Sequence, residues 1–245
     1  MINTVEPKEK DSKFYNVFTA IFVTALVIAP LAASKFIAIG PLIISGATLV
    51  FPITFIFNDI LTEVYGYKRA RRIIWTGMAC SIFSALIFFI VGVLPAPDFY
   101  QNQDAYMAIL GVAPRIVFAS LVAYFFSEFT NSFILSKMKY WHEGKRGLYQ
   151  SGRFIFSTLV GEFVDSALFI TIAFYGVLPT QELLITIASI WIAKTLYEIV
   201  ALPITVPLTN TIKRIEKTDT IDFPESTNYN PFSVFSLRYQ KEIWS

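Results

Sequence analysis

Residues 73–94 read IIWTGMACSIFSALIFFIVGVL, a stretch without a charged side chain, and Lys68, Arg69, Arg71 and Arg72 come shortly before it. A helix needs about 20 mostly apolar residues to cross the hydrocarbon layer of a bilayer, which is roughly 30 Å thick. Basic residues next to such a stretch are typical of the cytoplasmic side. This stretch therefore predicts a transmembrane helix that begins in the cytoplasm.

Five further stretches are long and apolar enough to predict membrane spans, so we expect an all-α integral membrane protein with six transmembrane helices. Only 16% of the residues are charged, against about 25% in soluble domains. With one Cys and one His, the chain excludes a disulfide scaffold and a metal site of Cys and His ligands. The predicted spans are Phe14–Ser34, Thr48–Val64, Ile73–Leu94, Ala105–Leu135, Phe154–Gly176 and Leu183–Asn210.

Basic residues are divided unequally between the two sides of the predicted membrane. The connections at 95–104 and 177–181 contain none of the 20 Lys and Arg residues. Both termini and the other long connections contain most of them, which places both termini in the cytoplasm. We therefore expect a cytoplasmic N-terminal tail (1–13), a transmembrane domain (14–212) and a cytoplasmic C-terminal tail (213–245), with the polar part from Thr218 loosely ordered.

The segment between the first two spans differs from the rest because Gly40, Pro41 and Gly46 interrupt it. This composition is unsuited to a helix, so residues 35–47 are expected to face outward as a short hairpin or as a plain linker. The first span itself has a longer apolar core than the 7–15 residues of a signal peptide, which favours a permanent span.

Several ionisable side chains lie inside the predicted spans. A helix rises 1.5 Å per residue, which puts five of them near the middle of the bilayer. A charge that faces lipid there costs between about 3 and 10 kcal/mol, so these groups must meet one another or line a wet cavity. The five are Asp59, Arg115, Glu162, Asp165 and Lys194, and a second layer nearer the cytoplasm is expected to contain Glu63, Glu128 and Glu198.

Spacing along the helices brings some of these groups together. Glu162 and Asp165 are three residues apart and Lys194 and Glu198 are four apart, so each pair shares one helix face. Two interpretations are open: structural ion pairs that hold the bundle together, or a binding site on a transport pathway. Three acidic against two basic groups at the midplane favour a neutral or cationic ligand. A planar, hydrogen-bonding ligand would also suit the nearby aromatic residues Phe55, Tyr124, Phe129, Phe163, Trp191 and Tyr197.

Three motifs resemble a known family. Residues 51–75 read FPITFIFNDILTEVYGYKRARRIIW, residues 157–169 read STLVGEFVDSALF, and residues 194–198 read KTLYE. Together with Pro114-Arg115, they are similar to the signatures of the queuosine precursor transporter family. The similarity extends from the first span to the sixth.

This resemblance implies an importer of 7-deazaguanine bases in the bacterial inner membrane. Its substrates would be 7-cyano-7-deazaguanine, 7-aminomethyl-7-deazaguanine or both, which are precursors of queuosine in tRNA. It also implies a six-helix bundle similar to the substrate-binding subunits of energy-coupling-factor transporters. Together with the depth argument, it makes Asn58, Asp59, Arg115, Glu162, Asp165, Lys194 and Trp191 the predicted substrate-binding residues. The predicted gating or proton-relay residues are Glu63, Glu128 and Glu198.

Two other functions remain to be weighed. Ala25, Ala29 and Ala33 form a row of small residues on the first span, suited either to docking an ATPase module or to internal packing. The chain would then be the binding subunit of an energy-coupling-factor-type vitamin or nucleobase uptake system. An intramembrane enzyme is disfavoured because no metalloprotease, nucleophile-elbow or phosphate-loop motif is present. The expected partners are the base and the lipid bilayer, a homodimer remains open, and neither nucleic acid, a metal nor a cofactor is expected.

Overall fold

Long helices form over most of the apolar stretches, and short elements form between them. The computed structural model describes residues 12–39, 42–111 and 114–235. The helices are α1 (Tyr15–Ala33), α2 (Phe51–Tyr65), α3 (Tyr67–Val93), α4 (Gln103–Leu110), α5 (Pro114–Trp141), α6 (Leu148–Phe174) and α7 (Thr180–Glu216); the strands are β1 (Phe36–Ile39) and β2 (Leu42–Ser45), and 3₁₀ turns cover Gly46–Leu49 and Pro231–Phe235.

Five helical stretches are long and apolar enough to cross a membrane: α1, α3, α6, α7 and the stretch Gln103–Trp141, which includes α4 and α5. This confirms the prediction of a helical, multi-pass membrane protein. Helix α2 has 15 residues, so it is about 22 Å long, which is shorter than the hydrocarbon layer of a bilayer.

Many large apolar side chains point outward while several polar side chains are buried, which differs from the pattern of a soluble protein. Large apolar side chains on α3 are exposed, such as Phe83 at 65% and Phe89 at 55%, whereas Asn58 and Asp59 on α2 are fully buried. Lipid is as apolar as a protein core, so the outer face of a membrane bundle can be oily while polar groups are confined to its interior.

Helix α2 lies at the centre of the bundle, where it contacts α1, α3, α5 and α7. Its residues from Asn58 to Tyr65 are all buried. Ala25 and Ala29 are also buried, on the side of α1 that packs against α2 and α3. The row of small residues on α1 therefore serves internal packing at these two positions.

The predicted fourth span, Ala105–Leu135, lies within the apolar stretch Gln103–Trp141, which contains two helices, α4 and α5. Helix α4 ends at Leu110 and a new helix begins at Pro114, where the missing N–H of proline costs nothing. The side chains of Gln103 and Tyr106 donate hydrogen bonds to the carbonyl groups of Gly92 and Phe88. Helix α4 is thus a short, separate helix against the end of α3.

The segment after α1 forms the hairpin that was one of its two interpretations. Strands β1 and β2 pair antiparallel, with Phe36 opposite Ser45 and Ile39 opposite Leu42. Gly40 and Pro41 lie outside the described residues.

Helix α7 is the longest element, with 37 residues, and it contains Pro203 and Pro207. Its last turn meets the start of α1, because the backbone N–H of Phe14 donates to Glu216 at 2.7 Å. We refer to this end of the bundle, where α1 begins and α7 ends, as the terminal end.

Residues 218–235, here called the C-terminal segment, lie against the terminal end. The N–H of Thr220 donates to the carbonyl of Val64, and Asp222 accepts hydrogen bonds from the N–H of Tyr67 and the hydroxyl of Ser136. The indole of Trp75 donates to the Pro231 carbonyl at 2.9 Å. The expectation of a loosely ordered tail is therefore wrong for these residues. The tails 1–11 and 236–245 lie outside the described residues.

Gly66, between α2 and α3, allows this close approach of the C-terminal segment. Its φ is +81°, and a Cβ at this position would lie 2.8 Å from Thr220 and 3.0 Å from Asp222. An L side chain would be strained by the backbone conformation and would also displace the segment.

Candidate functional site

Lys194 on α7 lies in the middle of the bundle and pairs with two carboxylates of α6. Its ammonium nitrogen is 2.6 Å from Asp165 and 2.9 Å from Glu162. The same nitrogen lies 5.7 Å from the ring centre of Phe55 on α2. The predicted convergence of these charges is thus observed, because the i, i+3 spacing puts both carboxylates on the face that α7 contacts.

Asp59 on α2 extends this polar region. It accepts a hydrogen bond from Asn131 at 2.7 Å and one from Thr158 at 3.5 Å, and all three side chains are buried. Asn58 donates to Ser132 at 3.2 Å on the other side of the α2–α5 contact. The two predicted residues Asn58 and Asp59 therefore face α5 and α6 rather than lipid.

Glu128 and Glu198 belong to the same region, whereas Glu63, which was expected in one layer with them, makes its ion pairs with Arg153 and Lys213. Glu128 interacts electrostatically with Glu162, Asp165, Lys194 and Asp59. Glu198 interacts with Glu162 and Asp59. We use these electrostatic interactions and the ion pairs of Lys194 to define the central polar cluster, which consists of Asp59, Glu128, Glu162, Asp165, Lys194 and Glu198.

Arg115 is not part of this cluster, so its predicted depth at the midplane is wrong. Because α5 starts at Pro114, Arg115 lies in the first turn of a helix. Its guanidinium donates to the carbonyls of Ile172 and Tyr175 at 2.6 and 2.5 Å, where α6 ends. A cation at the C-terminal end of a helix satisfies free carbonyl groups and the negative end of the helix dipole.

Trp191 borders the cluster, but the aromatic residues near it do not all face inward. The indole of Trp191 donates to the carbonyl of Leu159 at 2.9 Å, and its ring makes an edge contact with Phe163. Phe163 and Tyr197 are 48% and 45% exposed, whereas Phe55 is buried. Phe55 is therefore the better placed ring for contact with a ligand beside Lys194.

Glu63 lies one turn nearer the terminal end than Asp59, in a second set of buried charges. Arg153 donates to both of its carboxylate oxygens, and Lys213 lies 2.6 Å from one of them. Lys139 donates to the Glu63 carbonyl and lies 2.6 Å from Asp219. We call Glu63, Lys139, Arg153, Lys213 and Asp219 the terminal ionic network.

Sequence reasoning missed the basic members of this network. The sequence places Lys139, Arg153 and Lys213 near helix ends, where basic residues are typically exposed, yet each is almost fully buried. The available signal was Glu63, a carboxylate inside a predicted span that needed a cationic partner. Which cations supply the pairing depends on tertiary packing, which the spacing of residues does not encode.

Asp219 and Asp222 of the C-terminal segment respond differently to burial. Burial raises the pKa of Asp222, although hydrogen bonds from Ser136 and the Tyr67 N–H oppose the effect. Burial would also raise the pKa of Asp219, but the ammonium groups of Lys139 and Lys213 lower it below its usual value. Asp219 is therefore held as a carboxylate by the terminal ionic network.

Two grooves lie away from the central polar cluster. One of about 480 Å³ is lined by α1 and α3 residues, including Val27 and Phe83. The other, of about 260 Å³, lies around α4 and includes Tyr106. Both are mostly apolar and open, so they fit lipid contact better than the chemistry of the charged residues.

Comparison with known proteins gives one family and one curated relative. Residues 45–208 match the family described as "Putative vitamin uptake transporter". A protein of Bacillus subtilis (strain 168) named "Probable queuosine precursor transporter" is 28% identical over 187 residues, covering 73% of this chain and 77% of that protein. No solved structure matches the chain. The family match includes both the central polar cluster and, apart from Lys213 and Asp219, the terminal ionic network.

Proposed function

The chain belongs to the family described as "Putative vitamin uptake transporter", and from this premise we propose that it imports queuosine precursors across the bacterial inner membrane. The substrates would be 7-cyano-7-deazaguanine, 7-aminomethyl-7-deazaguanine or both. The observation on which the proposal depends is the central polar cluster, because buried charge inside a lipid-facing bundle is costly and marks a pathway or binding site. The family and the relative are transporters, so the chain is a transporter and not an enzyme.

In the proposed mechanism, a base binds between α2, α6 and α7 near Lys194. Glu162 or Asp165 accepts hydrogen bonds from the N–H groups of the guanine-like edge. Lys194 pairs with both carboxylates in the structure, and on ligand binding it would give up its contact with one of them. Phe55 and Trp191 would contact the faces of the ring system, while Asn58 and Asp59 would line the α2 side.

The remaining predicted residues have roles that follow from their positions. Glu128 and Glu198 are proposed to gate or relay protons beside the base. Glu63 is proposed as a gating residue at the terminal end, because its ion pairs lie between the central polar cluster and the C-terminal segment. Arg115 would act at the opposite end of the bundle, through the end of α6, and not by direct contact at the midplane.

Uptake of a labelled base tests the proposal. Cells that lack their own synthesis of the precursor would express either the wild type or the double variant Glu162→Gln/Asp165→Asn. We expect the double variant to lose at least about tenfold in initial uptake rate, since both charged acceptors beside Lys194 are removed. If cells that express the wild-type protein take up neither base, the proposed function is contradicted.

The matched control is Glu182→Gln, which removes an exposed carboxylate from the first turn of the same helix that contains Lys194. Its uptake should equal that of the wild type at equal amounts of protein in the membrane. If the double variant takes up the base as fast as the wild type, Glu162 and Asp165 are not the substrate-binding acceptors.

The topology is also a proposal. We place both termini in the cytoplasm and count six spans, of which α2 is the second. The sole cysteine, Cys80, can be replaced by Ser, and single cysteines can then be introduced at Asn102 and at Lys145. A membrane-impermeant thiol reagent should label only the first in intact cells; the reverse pattern would contradict the orientation.

Purified protein in liposomes separates a self-sufficient carrier from a binding subunit that needs an ATPase partner. Burial of Ala25 and Ala29 removes the main argument for a docking row on α1. We therefore expect the chain alone to transport the base. Binding without transport would favour the energy-coupling-factor-type alternative, and crosslinking in the same liposomes would reveal a homodimer.

A further inference from the structure

Buried oxygen atoms in the central polar cluster and on residues beside it have no hydrogen-bond partner among the described residues. They include one carboxylate oxygen each of Glu128 and Glu198, the amide oxygen of Asn131 and the hydroxyl of Ser166. At least nine-tenths of each of these residues is buried. Because the amide nitrogen of Asn131 donates to Asp59, the free oxygen on the same amide group lies next to the cluster. Buried polar groups normally find partners, so these positions call for a ligand or water.

With Glu128 and Glu198 as carboxylates, three of these four atoms can only accept hydrogen bonds. A carboxylate or amide oxygen accepts, whereas a hydroxyl can donate or accept. The missing partner must therefore be a donor with several N–H or O–H groups. A protonated primary amine has three donors and no acceptor, which matches this set.

The charges of the cluster lead to the same conclusion. Five carboxyl groups interact there, and Lys194 is the basic side chain that the described part of the structure pairs with them. Its ammonium is already engaged by Glu162 and Asp165. The remaining carboxyl groups of Asp59, Glu128 and Glu198 have no basic side chain within ion-pair distance among the described residues. An additional positive charge would compensate them.

A multivalent metal ion is a poorer match. Within residues 12–39, 42–111 and 114–235, no three His, Cys, Asp or Glu side chains are grouped closely enough to hold one. An organic ammonium group needs no coordination shell of fixed geometry, so it is the better match to these acceptors.

We propose that Glu128 and Glu198 form a recognition site for a protonated primary amine on the transported base. This inference rests on the proposed function and makes it more specific: the chain selects the aminomethyl base over the nitrile base. The nitrile nitrogen can only accept hydrogen bonds, so beside Glu128 and Glu198 it would meet other acceptors. Lys194, Glu162 and Asp165 would then recognise the part that both bases share.

Binding of the two bases to purified protein tests the inference. Titration calorimetry with full-length protein in nanodiscs would measure both dissociation constants at pH 7. A charge-assisted hydrogen bond in a buried site predicts at least about tenfold tighter binding of the aminomethyl base. Glu128→Gln and Glu198→Gln should each weaken binding of the aminomethyl base about tenfold and change binding of the nitrile base less than about twofold.

Glu182→Gln serves as the control and should alter neither constant. Equal affinity for the two bases, or tighter binding of the nitrile base, would overturn the inference and leave the proposed function intact. An equal loss of affinity for both bases in the two variants would also overturn it, since a structural role affects the binding of both bases alike. If neither base binds to the wild type, the proposed function and the inference fail together.

Discussion

The central polar cluster and the terminal ionic network contain the same kinds of side chain but pair them differently. In the network, Glu63 receives Arg153 and Lys213 on its carboxylate and Lys139 on its carbonyl. In the cluster, one lysine is shared among several carboxyl groups, and one oxygen each of Glu128 and Glu198 has no hydrogen-bond partner in the part of the chain that the structure describes. The network is saturated with donors, whereas the cluster has an excess of acceptors.

This difference separates the two roles that buried charge can have in a membrane protein. A fully paired network stabilises one arrangement of helices, because opening it would leave charges exposed to a medium of low dielectric constant. An incompletely paired cluster can gain free energy from an incoming ligand. Stability should therefore depend on the network, and ligand affinity should depend on the cluster.

The largest expected effect is the loss of stability in Arg153→Met. This variant removes both hydrogen bonds from the guanidinium to buried Glu63. Breaking a buried ion pair by removal of one partner costs about 3–5 kcal/mol. Thermal unfolding in detergent, followed by size-exclusion fluorescence, should show a clear decrease in Tm.

Arg214→Met is the control, since Arg214 is exposed on the same helix as Lys213, and its Tm should stay close to that of the wild type. An unchanged Tm in Arg153→Met would mean that the network does not hold the terminal end together. The comparison between the two regions would then lose its basis.

A smaller loss of stability is expected for Trp75→Phe. This variant removes the hydrogen bond to the Pro231 carbonyl and reduces the ring contacts with Phe232 and Phe235. One hydrogen bond contributes about 0.5–1.5 kcal/mol. Hydrogen exchange should show faster opening of the C-terminal segment, while affinity for the base stays unchanged. The exposed Trp141, replaced by Phe, is the matched control. A large loss of ligand affinity in Trp75→Phe would show that the two regions are coupled.

Little change in stability is expected for Glu128→Gln, in contrast to its proposed effect on binding. The carboxylate oxygen without a partner has no hydrogen bond to lose, and the amide replaces a buried acidic group with a neutral one. The free energy of unfolding should stay within about 1 kcal/mol of the wild-type value or increase. A decrease of several kcal/mol, measured as for Arg153→Met, would place Glu128 among the structural ion pairs.

The smallest effect is a pH dependence in the C-terminal segment. The pKa of Asp219 is lowered by Lys139 and Lys213, so its contribution to stability is complete above the unfolded-state pKa of about 3.9 and is lost as the pH falls through the lower folded-state value. Hydrogen exchange of the segment should therefore differ between wild type and Asp219→Asn at pH 5–7. The difference should disappear only below about pH 4; its loss near pH 6 would contradict the ion pairs.

Parts of this arrangement could be predicted from residue spacing. The pairing of Glu162 and Asp165 on one face, and their approach to Lys194, follow from helix periodicity and from the cost of charge in lipid. The depth of Arg115 could not be obtained by counting from the start of one long span, because the helix begins again at Pro114. Gly111 and, three residues later, Pro114 are together a signal for such a restart, because glycine often ends a helix and proline often begins one.

Other parts depend on contacts between distant residues. The C-terminal segment has no hydrophobic periodicity, and its order comes from Asp222, Tyr229 and Pro231 meeting the ends of α3 and α5. Lys139 and Lys213 near helix ends look like solvent-exposed cations in the sequence. Only the fold shows that both lysines are buried and contact Glu63.

Helix α7 contributes Lys194 and Glu198 to one region and Lys213 to the other, with Pro203 and Pro207 between them. Proline has no N–H, so two rungs of the helical hydrogen-bond ladder are missing at this joint. Bending there breaks fewer bonds than bending elsewhere along the rod. Helix α7 can therefore bend at these two prolines. The part with Lys194 would move relative to the part with Lys213, which the terminal ionic network holds in place, so the prolines form a hinge in the bundle.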